Sequence, residues 1–175
     1  MERRFLGESL NKLDGKGRVS IPVKFRRVLQ NADKEFDSGK NPRLYIAYGD
    51  PQKNYLECLS GDAFDEIDAL ISSQTRNSPL RKVLEYLYYA KCEATSVDET
   101  GRLVLPPLAR EKINLDTDAL FQGKGDQFHI LHPDQGIAAG DDIQAMMDAL
   151  SGGDAFYDPL AMVGTTTPPE AGGAR

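Results

Sequence analysis

The chain has 175 residues, of which 40% are hydrophobic and 27% are charged. These values are typical of a folded chain of one ordinary or two small domains, and they exclude disordered and collagen-like compositions. No apolar stretch approaches the roughly 20 residues of a membrane helix, and residues 1–21 do not have the pattern of a secretory signal. The formal net charge of −6 is uneven, because residues 1–30 carry +5 and the remainder carries −11.

The positive charge at the start of the chain has two interpretations. A basic patch on an acidic protein can bind a polyanion, because salt limits the reach of distant charges to about 8 Å. The alternative is a solvated basic surface without a partner, and charge alone does not decide between them. Lys24, Arg26 and Arg27, which fall outside the apolar stripe of a predicted helix, fit a solvated helix face.

One segment of the sequence occurs twice. Residues 13–22, LDGKGRVSIP, align with residues 97–106, VDETGRLVLP, at a constant offset of 84, so that Asp, Gly, Arg and Pro recur in place. At the same offset Arg26 matches Arg110. Internal duplication of this kind predicts two copies of one structural unit within the chain.

Each copy predicts a hairpin followed by a helix. The aspartate (Asp14, Asp98) opens a turn, because its carboxylate can accept nearby backbone N–H groups. The glycine three residues later (Gly17, Gly101) allows a positive φ. The apolar run that follows predicts a short strand, and the proline that ends it suits the first turn of a helix. A further strand then follows in each half.

Two helices are predicted between the copies. Asp62 is expected to cap the first, and Ser78, followed by Pro79, the second. An apolar stripe from Leu80 to Tyr88 predicts that the second helix packs against the core. The expected organisation is a first repeat at 1–60, a helical connection at 61–90, a second repeat at 91–150 that ends in a helix over about 142–150, and a mostly disordered tail at 151–175.

The duplicated Asp-x-x-x-Arg motif, followed in each copy by apolar residues and Pro, resembles the MraZ family of bacterial transcriptional regulators, which carry two SpoVT/AbrB-type domains. The resemblance implies an α+β fold, a pseudo-symmetric swapped-hairpin β-barrel of two AbrB-like repeats with packing helices, and assembly into a ring. It also implies binding to short direct repeats in promoter DNA and repression of the protein's own division and cell wall operon. In the family the first copy carries the DNA contact, here Asp14, Lys16 and Arg18.

Charge separates the two copies. DGKGR in the first becomes DETGR in the second, where Glu99 would be repelled by phosphate. We therefore expect DNA contact from the first copy and a structural role for the second. The candidate DNA-binding residues are Arg3, Arg4, Lys12, Lys16 and Arg18. The candidate structural residues of the hairpins are Asp14, Gly17, Asp98, Gly101 and Arg102. For Arg18, an ion pair with Asp14 is the structural alternative to reading base edges.

The sequence offers little support for catalysis. His129, His132 and Asp134 match no metal site of known spacing, and Cys58 and Cys92 are too few for a disulfide framework or a thiolate zinc site. We expect no enzyme activity, metal, cofactor, small-molecule substrate or membrane partner, and a cytoplasmic, nucleoid-associated protein. The function that remains open beside DNA binding is an antitoxin-like or scaffold module that binds other proteins.

Overall fold

The computed structural model describes residues 1–164, which form two units, 1–136 and 137–164. The strands are β1 (Glu8–Lys12), β2 (Arg18–Ser20), β3 (Arg43–Ala47), β4 (Tyr55–Ser60), β5 (Cys92–Ser96), β6 (Arg102–Val104), β7 (Asp118–Gly123) and β8 (Gln127–Leu131). The helices of the first unit are α1 (Val23–Asn31), α2 (Gly61–Ser72), α3 (Pro79–Glu85), a π-helical turn (Tyr86–Ala90) and α4 (Pro107–Lys112). Helix α5 (Pro133–Ser151) begins in the first unit and continues into the second.

The fold is of the mixed α+β kind, with an antiparallel six-stranded sheet in the order β1-β7-β8-β4-β3-β5. Strand β1 of the first half pairs with β7 of the second, and β5 of the second half pairs with β3 of the first. Strands β2 and β6 leave this sheet and pair with each other as a separate ribbon. Because β1 and β5 therefore remain as edges, the sheet is open, and the described strands do not form the closed barrel expected from the sequence.

The strand registers relate the two halves by a pseudo-twofold axis. In the ribbon, Val19 lies opposite Leu103, its equivalent at the offset of 84. At the centre of the sheet, Glu57 lies opposite His129, its equivalent at an offset of 72. A residue that faces its own equivalent across an antiparallel pair lies on a twofold axis, so the duplication found in the sequence organises the ribbon and the six-stranded sheet.

The core joins the two halves through aromatic rings. The stripe predicted on α1 is buried, and its members are Phe25, Val28 and Leu29. The Phe25 ring packs against rings from three other segments, with centroids 5.2–6.4 Å away: Phe5, Phe121 and Phe128. Aromatic pairs of this kind add to the stabilisation from burial alone, so α1 is held firmly at the end of the ribbon.

Of the two helix caps predicted in the helical connection, one is present. Ser78 caps α3, and Pro79 occupies its first position. Ser60, and not Asp62, caps α2, because the Asp62 side chain accepts the backbone N–H of Lys34 at 2.8 Å.

The outer face of this connection is not covered. No residue of α3 or of the π-helical turn is buried, and the exposed apolar side chains include Leu70, Leu80, Val83 and Tyr86. The prediction that α3 packs into the core is therefore wrong for the single chain. The periodicity of the sequence indicated an apolar stripe, but it carries no information on what covers that stripe.

A long loop after α1 distinguishes the first half from the second. Lys12 pairs with Asp118, whereas Ser96, the equivalent of Lys12, pairs with Arg43. Arg43 and Asp118 are thus equivalent at an offset of 75, nine less than the offset of the ribbon strands. Three of the nine extra residues of the first half lengthen α1, and the other six lengthen the loop between α1 and β3 relative to that between α4 and β7.

Arg43 ties this loop to the sheet and to α2. Its Nη2 lies 2.8 Å from Asp33, whose side chain is 1% exposed, and its Nη1 lies 3.1 Å from Asp65. Burial opposes ionisation of Asp33, but the hydrogen bonds from Arg43 outweigh it and hold the Asp33 pKa below its ordinary value. Asp65, in the acidic first half of α2, is therefore engaged in an ion pair and does not only face solvent.

The second unit contains most of α5 and a 3-10 helix, Pro159–Met162. Helix α5 starts at Pro133, well before the predicted 142. The sequence did not indicate this earlier start, because Gly136, Ala138 and Gly140 interrupt the apolar pattern there. Residues 137–150 are exposed throughout. Part of the tail predicted to be disordered, 165–175, lies outside the described residues. Within residues 1–164 no helix is long and apolar enough to cross a membrane.

Candidate nucleic-acid interface

The first turn is closed by the carboxylate of Asp14. Its Oδ1 accepts the backbone N–H groups of Lys16 and Arg18, both at 2.9 Å, and its Oδ2 lies 2.6 Å from Nε of Arg18. Gly17 completes the turn at φ +78°, a conformation that other residues rarely adopt. The ion pair considered from the sequence is therefore present, and it fixes the backbone from which Lys16 and Arg18 project.

This ion pair leaves Arg18 able to bind a second partner. Hydrogen bonds from the backbone and side chain of Arg18 lower the pKa of Asp14, so the carboxylate is ionised at neutral pH. Asp14 engages Nε, and the Arg18 side chain remains 40% exposed. The two terminal nitrogens, Nη1 and Nη2, present parallel N–H groups of the kind that bind O6 and N7 of guanine. The structural and the base-reading roles of Arg18 are thus compatible.

The second turn has the same backbone and a different surface. Asp98 Oδ1 accepts the N–H groups of Thr100 and Arg102 at 2.9 and 2.8 Å. The hydroxyl of Thr100, where the first copy has Lys16, accepts from Nε of Arg102 at 2.9 Å, and the separation of Arg102 Nε from Asp98 Oδ2 is 3.5 Å. Asp14, Gly17, Asp98, Gly101 and Arg102 all occupy the turn positions expected of structural residues.

The charges of the two turns differ in sign. Residues 12–18 contain three cations and one anion, whereas residues 96–102 contain one cation and two anions. The turns lie at opposite ends of the ribbon, since Gly17 O accepts from Leu105 N at one end and Gly101 O from Ile21 N at the other. These ends are about 13 Å apart at roughly 3.3 Å per residue. That distance exceeds the screening length of about 8 Å, so each turn presents largely its own charge.

The five candidate DNA-binding residues fall into two groups. Lys12, Lys16 and Arg18 lie on or beside the first turn. Arg3 and Arg4 precede the opposite end of β1, where Phe5 forms a bridge with Gly125 at the turn between β7 and β8. Both arginines are exposed. The two groups could not be separated from the sequence, because their separation depends on β1 extending along β7 between them.

Two arginines, Arg26, which was interpreted as part of a solvated helix face, and its equivalent Arg110, pack across the repeats. Arg110 of α4 lies against Gly17 of the first turn, and Arg26 of α1 lies against Gly101 of the second. Each is partly buried, and Nε of each is buried without a hydrogen-bond partner among the described residues. Arg26 is thus not part of a solvated helix face, unlike the exposed Lys24 and Arg27. The recurrence of Arg26 as Arg110 was visible in the alignment, but its partner across the pseudo-twofold axis was not.

The histidines occupy unrelated positions. His129 is buried and stacks on the Tyr55 ring with centroids 4.0 Å apart, and burial lowers its pKa to about 4, with contributions from the charges of Lys124 and Lys53. His132 lies beyond β8, 3.7 Å from Asp134. Within residues 1–164 no group of three or more potential ligands could hold a metal ion.

The fold and its turns define a class of proteins in which two hairpin-and-helix units of one chain share a sheet about a pseudo-twofold axis. No protein-family model matches the chain. It is 51% identical over 133 residues to the transcriptional regulator MraZ of Ruegeria pomeroyi, covering 76% of this chain and 80% of that protein. It is 35% identical over 141 residues to the protein of the same name from Cereibacter sphaeroides, covering 77% of this chain and 83% of that protein. The chain belongs to the MraZ family of transcriptional regulators.

Proposed function

We propose that this protein is a sequence-specific DNA-binding transcriptional regulator that contacts double-stranded DNA through its first turn. The observation that carries the proposal is that two turns with the same backbone differ in charge, net +2 for residues 12–18 and −1 for residues 96–102. A polyanion favours the first turn and is repelled by the second. Arg18 reads base edges, while Lys12 and Lys16 contact phosphates.

Arg3 and Arg4 are proposed as further phosphate contacts at a distance from the turn. Phosphate contacts fix the position of a protein on the duplex, and base contacts give the sequence preference. A protein that uses both ends of β1 in this way covers a longer stretch of duplex than the turn alone. Asp14 would touch no DNA and would act by holding the Arg18 side chain.

We further propose that copies of the chain assemble into a ring that meets successive direct repeats in the promoter of its own division and cell wall operon, which it represses. Several turns on one particle raise the overall affinity without any new contact. The exposed apolar side chains of the helical connection, among them Leu80 and Val83, support an interface between copies, because covering them removes apolar surface from water. In this arrangement 1–60 and 91–150 are the two AbrB-like repeats, and the protein is cytoplasmic and associated with the nucleoid.

Binding to DNA fragments from upstream of the protein's own gene, measured by fluorescence anisotropy at a series of salt concentrations, tests the function. We expect the logarithm of the association constant to fall linearly with the logarithm of the salt concentration, with a slope of about −2 to −4 per bound subunit. A control fragment of scrambled sequence should bind more weakly with a similar slope. If neither fragment binds while the folded protein captures an acidic protein, the scaffold alternative is favoured.

The ring is tested by Val83→Glu, which places a charge in the exposed apolar face. We expect smaller particles in size-exclusion chromatography with light scattering. We also expect the variant to lose more affinity, relative to the parent protein, for a multi-repeat promoter than for a single repeat. Val83→Thr, which keeps the shape, should assemble normally. Unchanged particle size in Val83→Glu would remove this face from the interface.

A further inference from the structure

The packing of Arg110 on the first turn connects the second half of the chain to the proposed DNA contact. Gly17 lies between Lys16 and Arg18, so whatever fixes Gly17 also fixes the directions of these two side chains. A methyl group on Gly17 would lie 2.7 Å from Cζ, 2.9 Å from Nε and 3.1 Å from Nη1 of Arg110. Since three guanidinium atoms are almost equally distant, the flat face of the group covers the glycine.

Arg110 is itself held firmly in this position. Its helix follows directly on ribbon strand β6, and Leu105 N donates to Gly17 O at 2.8 Å just before the helix begins. The backbone N–H of Arg110 donates to Pro106 O, and its carbonyl accepts from Leu115 N, both at 3.0 Å. The neighbouring Ala109 is fully buried. The guanidinium is therefore presented to the turn by a rigid element.

We infer that Arg110, contributed by the second repeat, is a positioning residue for the DNA-reading turn of the first. This inference rests on the proposed function. Among the described residues Nε of Arg110 is buried without a hydrogen-bond partner, so within that part of the chain Nε contributes by packing its planar group over Gly17. By keeping the turn in one conformation, Arg110 holds the Arg18 side chain ready for a base edge, which reduces the ordering required on binding.

The pseudo-twofold axis supplies a matched control. Arg26 packs on Gly101 with the same three guanidinium atoms closest, and Gly101 has φ +80° where Gly17 has +78°. Arg26 and Arg110 thus have the same structural task on turns of opposite charge. If both arginines are purely structural, replacing either one should change the specific DNA affinity equally. If Arg110 acts in DNA recognition, only its replacement should lower that affinity.

The experiment compares Arg110→Ala and Arg26→Ala in the full chain, with particle size and melting temperature measured on the same samples. We expect Arg110→Ala to lower affinity for the upstream fragment about tenfold, as expected for a weakened base contact, with affinity for scrambled DNA and the salt slope nearly unchanged. Arg26→Ala should leave both affinities nearly unchanged despite a similar loss of melting temperature. Arg110→Lys should not restore the specific affinity, because a lysine has the charge but not the flat group.

Three outcomes would overturn the inference. Equal losses of specific affinity in the two alanine variants would make the pair structural only. Rescue by Arg110→Lys, with a shallower salt slope for Arg110→Ala, would make Arg110 a phosphate contact. Unchanged specific affinity in Arg110→Ala would remove its role altogether.

A second pair of variants, Gly17→Ala and Gly101→Ala, covers the case in which an arginine variant fails to fold. The added methyl group displaces the guanidinium of Arg110 in the first and of Arg26 in the second, and the two glycines have almost the same φ. A loss of specific binding confined to Gly17→Ala is expected, and an equal loss in both would contradict the inference. Failure of the parent protein to distinguish upstream from scrambled DNA would refute the proposed function itself, which separates the two failures.

Discussion

Replacing Arg18 by alanine is expected to lower the affinity for the upstream DNA fragment by about 10- to 100-fold, the range set by one lost bidentate contact to guanine. The equivalent Arg102→Ala should change that affinity less than about twofold, because a turn with two anions is repelled by phosphate. The measurement is a titration of labelled DNA with each variant, after size-exclusion chromatography has shown that both assemble like the parent protein.

Arg102 is a close control for Arg18. Each arginine lies four residues after an aspartate and contacts it through Nε, at 2.6 Å in the first turn and 3.5 Å in the second. The side chains are similarly exposed, 40% for Arg18 and 44% for Arg102. Exposed ion pairs contribute little to stability, so neither substitution should change the melting temperature much. Loss of DNA binding in Arg102→Ala with full binding in Arg18→Ala would reverse the assignment of the two turns.

A large loss of stability is expected from Arg43→Met. The substitution leaves the carboxylate of Asp33 buried without its cation, and breaking a buried pair in this way costs about 3–5 kcal/mol. Thermal or urea unfolding at pH 7 measures the change. Lys34→Met is the control, because Lys34 also contacts Asp65, at 2.9 Å, but is 65% exposed, and its loss should have little effect.

The pH dependence gives this prediction a second test. In the parent protein the lowered pKa of Asp33 contributes stability above the ordinary aspartate pKa of 3.8, and that contribution is lost as the pH falls through the lower folded value. Arg43→Met removes the side-chain hydrogen bonds and the charge of Arg43, while the backbone N–H groups of residue 43 and Glu35 still donate to Asp33. Burial then has less to oppose it, so the folded pKa of Asp33 rises above its value in the parent protein and protonation relieves part of the penalty. The difference in free energy of unfolding between the parent protein and Arg43→Met should therefore narrow as the pH falls from 7 towards 4. A constant difference would mean that Asp33 is not the cause.

The local parts of the fold were predictable because their causes lie within a few residues. An aspartate, a glycine at positive φ and an arginine specify each turn, and the recurrence of this pattern at an offset of 84 predicted two turns with the same hydrogen bonds. The stripe on α1 was predictable for the same reason, since its period follows from helix geometry.

The parts that depend on distant segments were not predictable in this way. The open sheet follows from β1 pairing with β7 and β5 with β3, and each strand could have met other partners. The ion pairs of Arg43 join a loop, a strand and a helix whose proximity no short pattern encodes. The packing of Arg110 on Gly17 likewise requires knowing that the ribbon brings each helix to the turn of the other half.

The pseudo-twofold axis has an evolutionary consequence. Two separate polypeptides of identical sequence paired in this way would present the same turn at both ends of their ribbon, and every change at one end would appear at the other. In one chain that carries both halves, each turn can change without the other. One end of this ribbon is acidic and the other cationic, so the molecule has a direction that an exact dimer cannot have.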